Sequence, residues 1–277
     1  KKKITIIIEA RTGSSRLPNK VIAEIEGKPM IFYVIDRVKQ IKSAEQIILA
    51  TSQEKNDQIL TEIAQQNSII TFVGDSIDVL NRDYQCALQN NADPIIRITG
   101  DCPLTDPDIV EEMLQFYLKN NYDYVSNRIN PKYPDGLDIE IFSFRTLQIA
   151  AQNAKWSSER ELVTTYITKN PKIFKIFSYE NQDDLSHYRW CIDEQKDLEF
   201  VRKIYSIMKP KTNFSMNEII EILLKNPELL KINSGIMRNE GHLKLYDNDK
   251  LVKWLNSNYL IFLVDFIFMV QIIWGGI

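Results

Sequence analysis

Short runs of branched apolar residues alternate with longer amphipathic stretches through the first half of the chain. Ile4–Ile8, Gln46–Thr51, Ile69–Val73, Pro94–Thr99 and Tyr122–Ser126 predict strands. Several are apolar throughout, as expected of strands covered on both faces. Helical stripes lie between them. Met30, Val34, Val38 and Ile41 form one, with Ile31 and Ile35 beside it, and Ile59, Leu60 and Ile63 form a second. Val79, Asp83 and Ala87 share a third face with Leu80 and Tyr84 nearby, and Ile109, Met113 and Phe116 form a fourth. This alternation predicts βαβ units and an α/β fold with a mainly parallel, doubly wound sheet. Ligands in such sheets bind beyond the carboxyl ends of the strands. The loops after Ile8, Thr51, Val73 and Thr99 are therefore the places to look for chemistry.

The pattern becomes mixed after about Asn127. Leu137–Phe142 alternates like an antiparallel or edge strand, Phe144–Ala154 and Ser157–Lys169 read as helices, and Ile173–Tyr179 as a strand. His187–Ile192 reads as a short strand before a helix from Gln195 to Met208. No linker or repeat separates this half, so it is expected to pack on the same sheet. The reading is one catalytic domain over residues 1–245 and an extension over 246–277. Within the extension, Tyr259–Trp274 is nearly all apolar, interrupted by Asp265 and Gln271. A membrane span needs about 20 apolar residues, and an Asp near its centre costs roughly 2.5–3.5 kcal/mol. A packing or interface helix is therefore favoured over a membrane-associating tail, with a sequence artefact ranked third.

Composition narrows the classes. Hydrophobic residues make up 44% and charged residues 26% of 277, which is ordinary for a globular protein and argues against disorder. A formal net charge of −3 leaves no basic surplus for a nucleic-acid partner. Cys86, Cys102 and Cys191 are widely spaced and odd in number, which fits reduced thiols in a cytoplasmic protein. With only His187 and His242 beside them, a structural zinc site is not expected. Lys1–Lys3 followed by Ile4–Ile8 imitates a signal peptide, but the apolar run is too short and Glu9 and Arg11 follow at once.

The loop after the first strand is the most informative stretch. It runs Glu9-Ala10-Arg11-Thr12-Gly13-Ser14-Ser15-Arg16-Leu17-Pro18-Asn19-Lys20. Gly13 allows a ligand close to the backbone, while serine hydroxyls and loop amides can donate to phosphate oxygens. Arg11, Arg16 and Lys20 supply enough charge for a triphosphate. The spacing fits neither the dinucleotide fingerprint nor the P-loop. A basic loop alone reads first as a solvated turn, but its place directly after a buried strand favours a site.

This run resembles the opening motif of the cytidylyltransferases that make CMP-activated acidic sugars, and within them the spore-coat polysaccharide synthesis branch. The resemblance implies a nucleotide-diphospho-sugar transferase-like fold, with Arg11, Ser14, Arg16 and Lys20 on the nucleotide phosphates. Two positions depart from it: Glu9 stands where Gln is usual, and Asn19 where Gly is usual. Glu9 is expected to bring a negative charge near the triphosphate.

Asp101, in Gly100-Asp101-Cys102-Pro103-Leu104, sits at a predicted strand end and suits Mg²⁺, which favours one or two carboxylates plus phosphate oxygens. A lone loop Asp is more often a cap, a role better suited to Thr105 or Asp106 here. The resemblance makes Asp101 a metal ligand. It makes Asp193, within Arg189-Trp190-Cys191-Ile192-Asp193, its partner, with Asp197 mainly structural. Asp138 and Glu140 in Pro134-Asp135-Gly136-Leu137-Asp138-Ile139-Glu140 share one strand face and either hold sugar hydroxyls or a metal-bound water, or form a solvated polar face. Ser158-Glu159-Arg160-Glu161-Leu162 is also family-like, with Leu162 where His is usual, and the resemblance sets Glu161 near the acceptor. Arg82 is read as a nucleotide or sugar contact or as a surface charge, and Thr51 and Ser52 as readers of the base.

The resulting expectation is a cytidylyltransferase with Arg11, Lys20 and Asp101 as its central catalytic groups. It takes CTP with Mg²⁺ and a small sugar acceptor, an acidic 2-keto sugar by resemblance. Dimerisation is an expectation of the resemblance alone. A metal-dependent nucleotide-sugar glycosyltransferase and a catalytically degenerate nucleotide-binding homologue are the alternatives.

Overall fold

The first apolar run is a strand, β1 (Lys3–Glu9), whose side chains divide between two cores in the computed structural model, which describes residues 1–252. Alternate side chains of a strand point to opposite faces. Ile6 and Ile8 therefore join one apolar cluster and Ile7 another, all three fully buried. Burying an isoleucine on either side contributes about 1.5–3 kcal/mol. The run Tyr259–Trp274 lies outside the described residues.

A small hairpin follows, β2 (Glu24–Ile25) and β3 (Lys28–Pro29), then α1 (Met30–Val38), β4 (Gln46–Ser52), α2 (Gln58–Gln66), β5 (Ile70–Gly74), α3 (Val79–Asn90) and β6 (Ala92–Thr99). Next come α4 (Pro107–Lys119), β7 (Tyr124–Ser126), β8 (Glu140–Phe142), α5 (Phe144–Asn153), α6 (Ser157–Glu161), α7 (Thr165–Lys169) and β9 (Ile176–Ser178). The described chain ends with α8 (Gln195–Met208), α9 (Met216–Lys225) and α10 (Glu240–Asp247). The main sheet has the order β5-β4-β1-β6-β8-β7-β9. β5, β4, β1 and β6 are parallel, whereas β8 runs antiparallel to both neighbours, β6 and β7.

Helices α1, α2, α4, α8 and α9 cover one face, and α3, α5 and α7 the other. The doubly wound, mainly parallel expectation therefore holds, with the mixed half continuing the same sheet. Within the α2 stripe, Leu60, Ile63 and Ala64 carry the buried face, while Ile59 is exposed.

Three local readings change. The helix expected over 157–169 is broken into α6 and α7 at Val163, a β-branched residue with φ 59°. That conformation is costly for valine. The break turns the Thr164 hydroxyl onto Glu140 Oε1 at 2.5 Å. His187–Ile192 makes only one bridge, Asp135 with Arg189, because its amides are drawn to single carbonyls of other loops. In 137–142 only β8 pairs, since the Asn127 side chain takes the Leu137 carbonyl at 2.6 Å and the Ile139 amide at 2.9 Å in place of a strand.

Residues past 245 are tied to the body. Asp249 accepts from the Ser157 hydroxyl at 2.9 Å and from the Ser158 amide and hydroxyl at 2.9 and 2.7 Å. The Val252 amide donates to the Lys155 carbonyl at 2.8 Å. Among the described residues no helix is long and apolar enough to cross a membrane.

Candidate active site

The opening loop is pinned at its base by a buried carboxylate. Asp57 Oδ1 accepts from the Thr12 amide at 2.7 Å and the Thr12 hydroxyl at 2.6 Å, and Asp57 Oδ2 accepts from the Ser52 hydroxyl at 2.5 Å. Burial opposes the charge, but these donors hold the Asp57 carboxyl below the ordinary range. Asn19 then donates its amide to the Thr12 carbonyl, and a single 3-10 turn, Lys20–Ile22, carries Lys20 inward.

Lys20 Nζ meets Asp101 Oδ2 at 2.7 Å, Asp193 Oδ1 at 2.8 Å and the Ile192 carbonyl at 2.8 Å. Arg16 Nη2 reaches the same Asp193 oxygen at 2.8 Å. Burial alone would push the Lys20 ammonium down, yet the two carboxylates raise its pKa above the ordinary lysine value. Burial likewise opposes charge on Asp101, and the Lys20 ammonium holds its carboxyl well below the usual range.

Backbone packing sets this convergence. Gly100 donates its amide to the Glu9 carbonyl at 2.7 Å, and a Cβ there would lie 2.8 Å from that of Ala10. The ends of β1 and β6 can therefore close together only around glycine. The Ile192 amide donates to the Asp101 carbonyl at 2.9 Å, and the Trp190 and Cys191 amides donate to the Asp135 carbonyl. Asp197, fully buried, accepts from the amides of Asp193 and Glu194 at 3.0 Å each and so opens α8. Arg189 grips Asp197 with Nε at 2.9 Å and Nη2 at 3.0 Å, and also reaches Asp135 and Asp193.

From there a chain of alternating charges runs around the cleft. Arg238 bonds Asp138 at 2.8 Å, and Arg128 spans Asp138 at 3.3 Å and Glu140 at 3.2 Å. Arg97 bonds Glu140 on one side and Glu9 on the other. Arg97 and Glu140 are cross-strand partners on β6 and β8. Glu140 also accepts from the hydroxyls of Tyr124 and Thr164 at 2.5 Å each. Burial works against its charge, but Arg97 and Arg128 bring its carboxyl down to about 2. Asp135 moves the other way, pushed up to about 6 by burial and the neighbouring Asp138 charge against the pull of Arg238 and Arg189.

These groups surround a cleft of about 560 Å³ beyond the carboxyl ends of β1 and β6. That is within the usual range for a small-molecule site. Among the expected residues, Arg11, Ser14, Arg16, Lys20, Arg82, Asp101, Asp138, Glu140, Glu161 and Asp193 line it. Gly13, Thr51 and Ser52 are not in its lining. Thr51 is buried, and the Ser52 hydroxyl is spent on Asp57. Arg11 Nη2 pairs with Glu161 at 3.2 Å, and the Ser14 hydroxyl accepts from the Leu17 amide. Leu162 lines both this cleft and a side pocket of about 270 Å³ that continues past Arg128 and Glu140.

Glu9 lines the cleft but is ion-paired within the sheet with Arg97, which it shares with Glu140. Arg97, Arg128 and Asp135 also line the cleft and were missed. The signal for Arg97 was a lone cation inside an otherwise apolar strand, which requires a buried partner. Among the described residues all eight carboxylates lining the cleft are paired with cations: Glu9, Asp101, Asp135, Asp138, Glu140, Glu161, Asp193 and Glu240. Arg82 is the one lining cation with no carboxylate partner among the described residues. Its Nη1 donates to the Asp75 carbonyl at 3.1 Å, and its buried Nε has no partner.

Asp101 and Asp193 fit a magnesium ion. Both direct an oxygen at one point, marked by Lys20 Nζ, and hard carboxylate oxygens suit that ion. No group of three or more metal-binding side chains exists among the described residues, so a cation here would draw its remaining ligands from phosphate and water.

The chain is similar to known proteins over most of its length. The sequence matches the family described as Cytidylyltransferase over residues 5–236. An uncharacterized protein of Methanocaldococcus jannaschii is 37% identical over 239 residues, covering 84% of this chain and 96% of that protein. A spore coat polysaccharide biosynthesis protein of Bacillus subtilis is 29% identical over 234 residues, covering 81% of this chain and 95% of its own. The solved structure of a cytidylyltransferase from Leptospira borgpetersenii serovar Hardjo-bovis is similar with a TM-score of 0.81 at 32% identity, covering 86% of this chain and 100% of that one.

Proposed function

Because this chain belongs to the cytidylyltransferase family and is a nucleotidyltransferase, we propose that it transfers CMP from CTP to a hydroxyl of an acidic 2-keto sugar, releasing pyrophosphate, in the synthesis of a cell-surface polysaccharide. The convergence of Asp101 and Asp193 on Lys20, beside Arg16, carries this reading. It supplies carboxylates for a divalent cation and cations for a polyphosphate within one cleft. The acceptor class rests on the resemblance of the opening loop, and the polysaccharide role on the spore-coat relative.

In this mechanism the α-phosphorus of CTP lies above the Asp101–Asp193 pair. Magnesium bound there supplies charge neutralisation at the phosphate oxygens. Arg16 and Lys20 bind the β- and γ-phosphates and stabilise the negative charge that grows on the departing pyrophosphate. Arg11, on the same loop, adds a third cation. Arg82, without a carboxylate of its own, binds a phosphate or the acceptor's carboxylate. Asp138, Glu140 and Glu161 form the acceptor side. Glu140 has four donors already and acts by holding Arg97 and Arg128 in place. Because every lining carboxylate among the described residues is ion-paired, catalysis rests on positioning and electrostatics more than on a side-chain base.

The test is pyrophosphate release with Mg²⁺, each of the four nucleoside triphosphates, and a panel of 2-keto acid sugars and sugar phosphates. Release that requires CTP and one acidic sugar is expected. Release with a sugar phosphate and not with any acidic sugar would overturn the acceptor class, and preference for another triphosphate would overturn the donor.

A further inference from the structure

We infer that Lys20 competes with the divalent cation for the point between Asp101 and Asp193, so that the cation binds strongly only together with the nucleotide. The inference rests on the reading of these two carboxylates as the metal pair. The Lys20 ammonium has three donor protons and three acceptors within 2.8 Å: Asp101 Oδ2, Asp193 Oδ1 and the Ile192 carbonyl. It is therefore fully satisfied where it lies, and only 8% of the residue is exposed. A magnesium ion takes carboxylate oxygens at about 2.0–2.1 Å. Two oxygens that both touch one ammonium leave no room for a dication beside it, and a positive charge at that distance repels the ion strongly.

For the cation to enter, the ammonium must leave, and a buried ammonium leaves only for another anion. Among the described residues every other carboxylate in the cleft is already paired, so none of them is free to take it. The polyphosphate of the nucleotide is the anion that remains. Arg16 shares Asp193 Oδ1 with Lys20, so the same polyphosphate would draw off both cations and free that oxygen. Nucleotide and metal thereby exchange partners with the protein in one event: carboxylates pass from Lys20 and Arg16 to the metal, and the two cations pass to phosphate. Linkage then requires each ligand to strengthen the other's binding by the same factor, commonly about 5–150-fold for coupled sites.

The inference is tested by Mn²⁺ binding, followed by electron paramagnetic resonance, to the full chain with and without a non-reacting CTP analogue whose α,β bridge is methylene. Metal bound by the analogue alone is subtracted from a protein-free titration. The wild-type protein is expected to bind Mn²⁺ at least about tenfold more tightly with the analogue than without it. Lys20→Met is expected to bind Mn²⁺ alone at least about tenfold more tightly than wild type, and to gain less than wild type when the analogue is added, its remaining gain coming from phosphate ligands to the metal. Lys20→Arg, which restores a cation, is expected to return the full coupling. Equal wild-type affinity with and without the analogue overturns the inference while leaving the metal pair intact, and so does Lys20→Met binding no more tightly than wild type. Bound analogue with no protein-held Mn²⁺ at all overturns the metal pair itself. Should Lys20→Met fail to fold, Lys20→Gln, which keeps a donor to the two carboxylates without the charge, is expected to show the same gain in Mn²⁺ affinity, and no gain there overturns the inference.

Discussion

The amide of Ile192 donates to the carbonyl of Asp101 at 2.9 Å, joining the loop after β6 to the segment that opens α8. This bond sets the spacing of the Asp101 and Asp193 carboxylates, and Gly136 makes room for it. With φ 107°, Gly136 would place a Cβ 2.6 Å from the Trp190 carbonyl carbon and closer still to the Cys191 amide. Gly136→Ala is expected to lose roughly 2–4 kcal/mol of stability and to lower kcat/KM as Asp193 shifts from Asp101. Gly235 has φ 80° but open space around its Cβ position. Gly235→Ala is expected to cost only about 1–2 kcal/mol, with activity retained. Melting temperature and initial rate, measured on both variants, separate crowding from backbone strain.

Asp101→Asn keeps the shape of the side chain and removes its charge. Lys20 retains Asp193 and the Ile192 carbonyl, so the fold is expected to survive. Pyrophosphate release is expected to fall by roughly 10²–10³-fold or more, in line with loss of a major electrostatic contributor. A variant that folds and turns over at near the wild-type rate would take Asp101 out of the reaction.

The sequence made the sheet legible because its strands are dense in branched apolar residues, and burial on both faces leaves few other readings for Ile4–Ile8 or Pro94–Thr99. It also led to Asp101, since a carboxylate at a parallel strand's end faces the ligand side. It did not disclose that Lys20 lies between Asp101 and Asp193, because those partners stand 81 and 173 positions away. The ion pair of Glu9 with Arg97 was hidden for the same reason: the partner is supplied by strand adjacency and not by local spacing. The break between α6 and α7 left no composition signal, as Val163 adopts a left-handed backbone that valine normally avoids. Tertiary bonds, above all Thr164 to Glu140, decide that turn.

Acid stability follows from Glu140. Its carboxyl is lowered from the ordinary 4.5 to about 2 by Arg97 and Arg128 against the opposing effect of burial. A carboxyl depressed in the folded state contributes stability that is present above its unfolded value and lost as pH falls through its folded value. At about 1.4 kcal/mol per tenfold change, this contribution is roughly 3 kcal/mol, lost between about pH 4.5 and pH 2. Glu140→Gln leaves Arg97 and Arg128 short of a carboxylate and is expected to be markedly less stable at pH 7. The gap in melting temperature between wild type and variant should narrow as pH drops from about 4.5 toward 2. A constant gap across that window would show that Glu140 carries no charge in the fold.

Arg82 and Arg97 both line the cleft, yet they differ in what they hold. Arg97 is bound to Glu9 and Glu140 across the sheet. Arg97→Met strands two buried carboxylates and is expected to cost about 3–5 kcal/mol or to prevent folding. Arg82 has no carboxylate partner among the described residues, only the Asp75 carbonyl, and its buried Nε has no acceptor. A buried donor without an acceptor is itself costly, by about 1–3 kcal/mol, so removing it need not destabilise the protein. Arg82→Met is therefore expected to melt within about 1 kcal/mol of wild type. Its effect should appear in binding: loss of a charge-assisted contact to phosphate or carboxylate is expected to raise KM for CTP or for the acceptor by roughly tenfold or more. Whichever KM rises identifies the ligand that Arg82 meets. If neither rises while the melting temperature falls steeply, Arg82 belongs to the framework with Arg97 and not to the binding surface.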